Sequence, residues 1–140
     1  MRKVKIPAAI LSAALATGAA AQEAAPSLQV ELNRAVAVEG ACRLTLVATN
    51  GLGADLDQVV FETVLFTRDG AVERLTLLDL GALPAGRPRV REFDMTGLGC
   101  DDLGRVLFNG VDTCAGSVDE GACAAGLNIE SRIERVEVIG

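Results

Sequence analysis

The stretch of sequence that decides the fold is VVFETVLFTRDGAVERLTLLDL, residues 59–80. Its first part, Val59 to Thr67, is rich in β-branched and aromatic residues, which favour β-strands. The dipeptide Asp69-Gly70 follows, and this pair is typical of a tight hairpin turn. The stretch therefore predicts two antiparallel strands, with Val72 to Leu80 as the return strand.

Alternation of apolar and polar residues continues on both sides of this hairpin. Upstream it covers Leu28 to Leu32 and Cys42 to Ala48, and downstream it covers Arg87 to Met95 and Val106 to Phe108. Such alternation is typical of half-buried strands. Turn-forming residues recur about every ten residues, a spacing that favours a β-sandwich. We therefore predict an all-β, seven-stranded immunoglobulin-like β-sandwich domain over residues 27–140.

The end of the chain is less regular. Asp112 to Gly126 shows no periodicity and is predicted to be a loop. From Ile129 to Val138 the spacing is partly helical, but the β-branched content favours one strand with a bulge. The four phenylalanines lie in apolar strand contexts and are expected in the core. They are Phe61, Phe66, Phe93 and Phe108.

The central hairpin and the segments after it resemble the FxLYD-type immunoglobulin-like domains of exported bacterial proteins. The resemblance depends on Val64 to Gly70, on the turn Leu83 to Gly86, and on the strand that ends at Phe93. Phe66 stands where that family has its tyrosine, and the four cysteines are not part of the pattern. The whole chain also resembles small exported alphaproteobacterial proteins of unknown function. The resemblance implies a fold and export, but no activity.

The first 21 residues have the features of a secretory signal peptide. A basic start that ends at Lys5 precedes an apolar run from Ile6 to Ala16 and the small residues Ala19 to Ala21. A membrane anchor is the alternative, but this run is shorter than the roughly 20 residues needed for a span, and it contains Pro7. We expect cleavage by the Sec route, a flexible leader over residues 22–26, and a periplasmic or secreted product without membrane attachment.

The amino-acid composition excludes several classes of function. Removal of residues 1–21 would take away three of the 13 basic residues and none of the 19 acidic ones, so the formal charge would change from −6 to −9. This charge disfavours binding to nucleic acid. The chain has no His, Trp or Tyr, and no Lys beyond the signal segment. Catalytic Ser-His or Cys-His pairs, imidazole metal sites and Schiff-base lysines are therefore excluded. We expect no cofactor, no metal and no catalysis, with carboxylate-only chemistry left open.

The chain has four cysteines, and an even number in a chain predicted to be exported favours two disulfides. They are Cys42, Cys100, Cys114 and Cys123. Three pairings are possible. In an immunoglobulin-like sandwich the second and sixth strands start at the same end, which favours Cys42–Cys100 and leaves Cys114–Cys123 to close the next loop. No Cys-x-x-Cys motif is present, so neither a zinc knuckle nor a thioredoxin-like site is indicated.

Two groups of charged residues are candidates for an interaction surface. The acidic group surrounds the sixth strand and its loop, and it would bind calcium or hydrolyse a glycoside if its oxygens converged. The arginine group alternates along the fifth strand and would form an anion clamp or pair with acidic neighbours. We favour a solvated acidic loop and cross-strand pairing. The two groups are Asp101, Asp102, Asp112, Asp119, Glu120 and Arg87, Arg89, Arg91.

These observations favour a non-catalytic exported domain that contacts another protein through an open sheet edge or the disulfide-closed loop. The acidic charge is compatible with a basic partner, which suggests a second hypothesis, an acidic inhibitor of a basic exported enzyme such as a cell-wall hydrolase. Its binding would weaken steeply with salt. An enzyme with paired carboxylates is a third hypothesis, and would lose turnover when Asp102 or Asp112 is neutralised. A calcium- or small-ligand-binding module is a fourth.

Overall fold

The structure, a computed structural model, describes residue 3, residues 18–21 and residues 23–140. Most of the predicted signal segment, and Gln22, therefore lie outside the described residues. Residues 23–26 are exposed and form no regular secondary structure before the first strand. Within the described residues, no helix is long and apolar enough to cross a membrane.

In the part of the chain that the structure describes, eight strands form two four-stranded sheets packed face to face. The first sheet has the order β5-β2-β1-β7, and the second has the order β4-β3-β6-β8. The predicted all-β sandwich is thus confirmed. The strands are β1 (Ser27–Val38), β2 (Ala41–Gly51), β3 (Leu56–Thr67), β4 (Val72–Leu83), β5 (Arg89–Thr96), β6 (Leu103–Gly116), β7 (Leu127–Ser131) and β8 (Glu137–Ile139).

The central hairpin forms as the sequence predicts. β3 and β4 pair antiparallel, with Val64 opposite Leu75. Gly70 adopts a φ of 88° in the turn, a conformation that costs glycine little and other residues much more. The amide of Thr67 donates to the carbonyl of Ala71 at 2.9 Å and closes the turn.

The core lies between the two sheets, where the inward-facing residues of each strand meet. Phe61 of β3 is fully buried, and its ring packs edge to face against Phe108 of β6, with centroids 5.2 Å apart. Phe93 is half-buried against this core. Phe66 was expected there too, but it is half-buried on the outer face of its sheet, where the guanidinium of Arg105 lies 5.9 Å from its ring centre.

The C-terminal segment differs from the prediction of one bulged strand. β7 runs parallel to β1 in the first sheet, and β8 runs parallel to β6 in the second. The chain crosses between the sheets over residues 132–136, and Val136 is buried in the core at the crossing. The segment therefore contributes one strand to each sheet, whereas a single continuous strand would stay in one sheet.

The two disulfides have the pairing that the sequence favoured, and they close opposite ends of the sandwich. Cys42 at the start of β2 bonds to Cys100, which begins a short 3₁₀ helix (Cys100–Asp102) before β6, with Cα atoms 4.9 Å apart. Cys114 near the end of β6 bonds to Cys123 in the one-turn helix α1 (Ala122–Ala125). We call these the Cys42 end and the Cys114 end. β6 therefore extends into the region predicted to be a loop.

Asn50 organises the Cys114 end from a fully buried position. Its side-chain amide donates to the carbonyl oxygens of Ala54 at 2.7 Å and Leu83 at 2.8 Å, and its Oδ1 accepts from the amide of Leu52 at 3.0 Å. Its own carbonyl accepts from the amide of Gly86 at 2.7 Å. One polar side chain thus joins the β2–β3 loop to the end of β4.

Candidate interaction surfaces

The acidic residues singled out in the sequence are divided between the two ends of the sandwich. Asp101 and Asp102 lie in the 3₁₀ helix at the Cys42 end, whereas Asp119 and Glu120 lie just before α1 at the Cys114 end. Between them runs the 14-residue strand β6, which spans about 40 Å at roughly 3.3 Å per residue. The structure therefore does not bring these carboxylates together.

Asp112 lies apart from both pairs, exposed on β6. It is separated from Asp102 by roughly 30 Å of extended chain, whereas the two carboxylates of a glycosidase lie about 5–10 Å apart. Within the described residues, no three Cys, Asp or Glu side chains form a group that could hold a metal ion. The geometry gives no support to either the calcium-site or the carboxylate-pair hypothesis.

The three arginines do not form one exposed face. Arg87 lies in the loop before β5, while Arg89 and Arg91 lie on β5 on the same side as buried Met95, which faces the core. The guanidinium of Arg91 donates to the carbonyl oxygens of Leu80 at 2.7 Å and Ala82 at 3.1 Å, both on β4. Arg91 therefore bridges the two sheets instead of forming an anion clamp or pairing with a neighbouring acid.

A second arginine bridges the same side of the sandwich in the opposite direction. Arg74 of β4 donates to the carbonyl of Thr96 on β5 at 2.8 Å, and its guanidinium is held by both carboxylate oxygens of Glu73. β4 and β5 are the edge strands of their sheets on this side. Inward-pointing charges on edge strands hinder the addition of further strands, so Arg74 and Arg91 protect this side.

Replacement of Arg91 by alanine is expected to lower the free energy of unfolding by about 1–2 kcal/mol, because two β4 carbonyls lose a charged donor. Arg89→Ala is the matched control, since the guanidinium of Arg89 donates to the carbonyl of its neighbour Pro88, and we expect a change below about 0.5 kcal/mol. Urea denaturation of both variants measures the difference. Equal losses would contradict the bridging role of Arg91.

The outer face of the sheet β4-β3-β6-β8 carries a row of apolar side chains that the sequence analysis did not identify. Leu75 lies opposite Val64, Val64 lies opposite Leu107, and Leu107 lies opposite Ile139. The row thus crosses all four strands. Leu75 is 62% exposed, and Leu77, the next outward-facing residue on β4, is 55% exposed. We call this set of five residues the apolar row.

A signal for this row was present in the sequence. Between residues 75 and 80, leucines occupy both odd-numbered and even-numbered positions. In a strand with one solvated face, either the odd-numbered or the even-numbered residues would instead be polar. Leu78 and Leu80 are buried in the core, so Leu75 and Leu77 must face outward. The alternation itself could not show whether that outward face would be covered.

The outer face of the other sheet is polar and carries several ion pairs, while exposed Glu130 on β7 accepts, among the described residues, only from the neutral amide of Gln29 at 3.0 Å. The guanidinium of Arg43 on β2 donates to both carboxylate oxygens of Asp94 on β5, at 2.7 and 2.9 Å. These hydrogen bonds hold the pKa of Asp94 below its usual value. Arg132 pairs with Glu31 at 2.7 Å on the same face. Val90 is an exposed hydrophobic residue there, at 56%, beside half-buried Val47.

Three carboxylates lie beside the apolar row, on the side toward the Cys114 end. Glu62 lies opposite Leu77. Asp79 is the next outward-facing residue after Leu77 on β4, and it lies opposite Val60. Asp112 is next to Thr113, the residue of β6 that lies opposite Val60. The side chains that donate hydrogen bonds to these carboxylates are neutral. The side-chain amide of Asn109, for example, donates to Glu62 at 2.6 Å. Within the described residues, no arginine lies within 4.0 Å of any of the three.

The opposite flank of the row is electrically balanced. Arg105 of β6 donates to Glu137 of β8 at 2.7 Å, and its guanidinium also lies near the ring of Phe66. The face is therefore asymmetric, with an apolar centre, a neutralised flank toward the Cys42 end and an acidic flank toward the Cys114 end.

The loop closed by Cys114–Cys123 borders an open groove of about 670 Å³. Its lining is mostly small or apolar and includes Pro26, Leu52, Val118 and Ala122, with Asp119 as its charged member. Little in this groove would orient a specific polar ligand, because binding sites usually combine an apolar wall with several convergent polar groups.

The chain matches no protein-family model, no curated protein and no solved structure. The resemblance to FxLYD-type domains therefore stays a prediction, and the surfaces described above are what remains to indicate a function.

Proposed function

We propose that this chain is an exported, non-catalytic β-sandwich domain that acts through protein–protein contacts made by the outer face of the sheet β4-β3-β6-β8. The two disulfides favour an oxidising, non-cytoplasmic compartment. Export through a cleaved signal over residues 1–21 agrees with this compartment. The observation that carries the proposal is the exposure of Leu75 and Leu77 in the apolar row.

A partner that covers Leu75 and Leu77 would be stabilised by the burial of their side chains. Complete burial of a leucine side chain stabilises by about 1.5–3 kcal/mol, so a partner that covers the exposed half of each leucine would gain about 1 kcal/mol per residue. Exposed apolar surface on a small domain is typical of an interaction site. In the apolar row this surface is provided by Leu75 and Leu77, whereas Leu107 and Ile139 are half-buried and Val64 is buried. The side of the sandwich formed by the edge strands β4 and β5 is a weaker candidate, because Arg74 and Arg91 bridge these two strands.

The proposal is tested with the double variant Leu75→Thr/Leu77→Thr, which places strand-favouring β-branched residues at both positions but makes the row polar. The domain is immobilised through the leader at residues 22–26 and exposed to periplasmic extract. The C-terminus is avoided because Gly140 lies close against Ile129 and Phe108. Retained proteins are expected to fall by about tenfold for the double variant.

The matched control is Val47→Thr/Val90→Thr, which makes the same kind of change on the outer face of the other sheet. Retention by this control is expected to equal that of the unaltered domain. Both variants are first shown to unfold at temperatures near that of the parent. If the two double variants retain the same proteins in the same amounts, or if nothing is retained by the parent, the proposal is wrong.

A further inference from the structure

We infer that the partner bound by the outer face of the sheet β4-β3-β6-β8 is a basic protein, with an apolar centre that covers the apolar row and with Arg or Lys side chains that reach Glu62, Asp79 and Asp112. This inference rests on the proposed function and adds the chemistry of the partner. It follows from the position of the three carboxylates and from the absence, among the described residues, of any arginine within 4.0 Å of them.

The carboxylates are close enough to the row to belong to the same contact. Outward-facing residues along one strand are about 7 Å apart, and directly opposed residues on neighbouring strands are about 5 Å apart. Asp79 is therefore one step beyond Leu77 on β4, and Glu62 is directly opposite Leu77 on β3. A partner seated on Leu75 and Leu77 would cover or border Glu62 and Asp79. Asp112 lies two strands from β4, about 10 Å across the sheet, so the partner must extend over β3 to reach it.

Their charge is also uncompensated by any ion pair in the part of the chain that the structure describes. Asp79 accepts from Gln58 at 3.0 Å, and Asp112 accepts from the hydroxyl of Thr113 at 2.9 Å, so each has a neutral donor only. A partner that removes water from these groups without supplying cations would pay a desolvation penalty. A partner with matching cations would instead gain association rate and specificity.

A second copy of this chain fits the face poorly. Two acidic flanks in contact would repel each other, and the cation that a second copy presents here, Arg105, is already paired with Glu137. Sheet extension through β4 or β5 is hindered by the two arginine bridges. The charges therefore favour a partner of a different and basic composition.

The test compares two triple variants that remove the same number of charges. Glu62→Gln/Asp79→Asn/Asp112→Asn neutralises the acidic flank and keeps an oxygen acceptor at each position. Asp102→Asn/Asp119→Asn/Glu120→Gln neutralises exposed carboxylates at the two ends of the sandwich. Both domains are presented to periplasmic extract at low and high ionic strength, and the retained proteins are identified by mass spectrometry. Amine cross-linkers are unsuitable, because no lysine follows Lys5 in the chain.

The unaltered domain is expected to retain a protein of basic isoelectric point at low salt and to release it at high salt. The flank variant is expected to retain about tenfold less of that protein, and the end variant to stay within about threefold of the parent. Equal loss in both triple variants would mean that only net charge matters, which overturns the inference.

Two other results separate the inference from the proposed function. Retention that requires Leu75 and Leu77 but is insensitive to salt and to the flank variant would overturn the basic partner and leave the proposed function standing. Retention that is insensitive to the leucines would overturn both. A dimer in sedimentation that disappears in Leu75→Thr/Leu77→Thr would identify a second copy as the occupant and would also overturn the inference.

Discussion

Replacement of both Cys42 and Cys100 by alanine is expected to lower the free energy of unfolding by about 4 kcal/mol. The two cysteines are 58 residues apart in sequence, and cross-linking them restricts a long loop in the unfolded chain. Single domains are stable by only about 5–15 kcal/mol. Loss of this disulfide is therefore expected to leave the domain marginally folded, as measured by urea denaturation at constant temperature.

The matched control is removal of the other disulfide in Cys114→Ala/Cys123→Ala. These cysteines are 9 residues apart, and the same chain-entropy argument gives a loss of about 2.5 kcal/mol. The ranking of the two losses is the decisive result. A larger loss at the Cys114 end would show that loop length does not dominate, and that the disulfide there holds the short helix α1 in place by other contacts.

A second large effect is expected at Asn50. The substitution Asn50→Asp keeps the size of the side chain but replaces its two donated hydrogen bonds with a carboxylate that faces the carbonyl oxygens of Ala54 and Leu83. Because the site is fully buried, we expect the free energy of unfolding to fall by about 3 kcal/mol or more at neutral pH. Thermal and urea unfolding both measure this loss.

Asn128→Asp is the control for the charge that this substitution adds. Asn128 is exposed on β7, and surface substitutions usually change stability by less than about 0.5 kcal/mol. If Asn50→Asp is as mild as Asn128→Asp, the hydrogen bonds of Asn50 are not what joins the β2–β3 loop to β4. Asn50→Leu then shows whether the packing of the site alone is sufficient.

Local patterns in the sequence were enough to predict several elements. The β3–β4 hairpin follows from β-branched residues on both sides of Asp69-Gly70, because turn chemistry and strand propensity act over a few residues. The number of cysteines predicted two disulfides, and the expected sandwich predicted which ends would meet. The end of the chain was harder, because the crossing segment buries Val136 between the two sheets, and local sequence patterns do not show where that space lies.

The candidate sites depended more strongly on tertiary structure. Arg91 was expected on an exposed face, but the twist and packing of the sheets place it at the side of the sandwich, within reach of β4 carbonyls. Asp101 and Glu120 were expected in one acidic neighbourhood, but β6 is long enough to hold them at opposite ends. Alternation gives the face of a strand and not the surroundings of that face.

By itself the sequence determined the class of the fold, the central hairpin, the preference for two disulfides and the chemistry that the chain lacks, since each depends on residue types or on short-range periodicity. Tertiary structure alone decided which surface is available for binding. Leu75, Val64, Leu107 and Ile139 are far apart in sequence, and only the register of four strands places them in one row beside Glu62. Register is set by the simultaneous burial of all inward-facing side chains, which is a property of the whole sandwich.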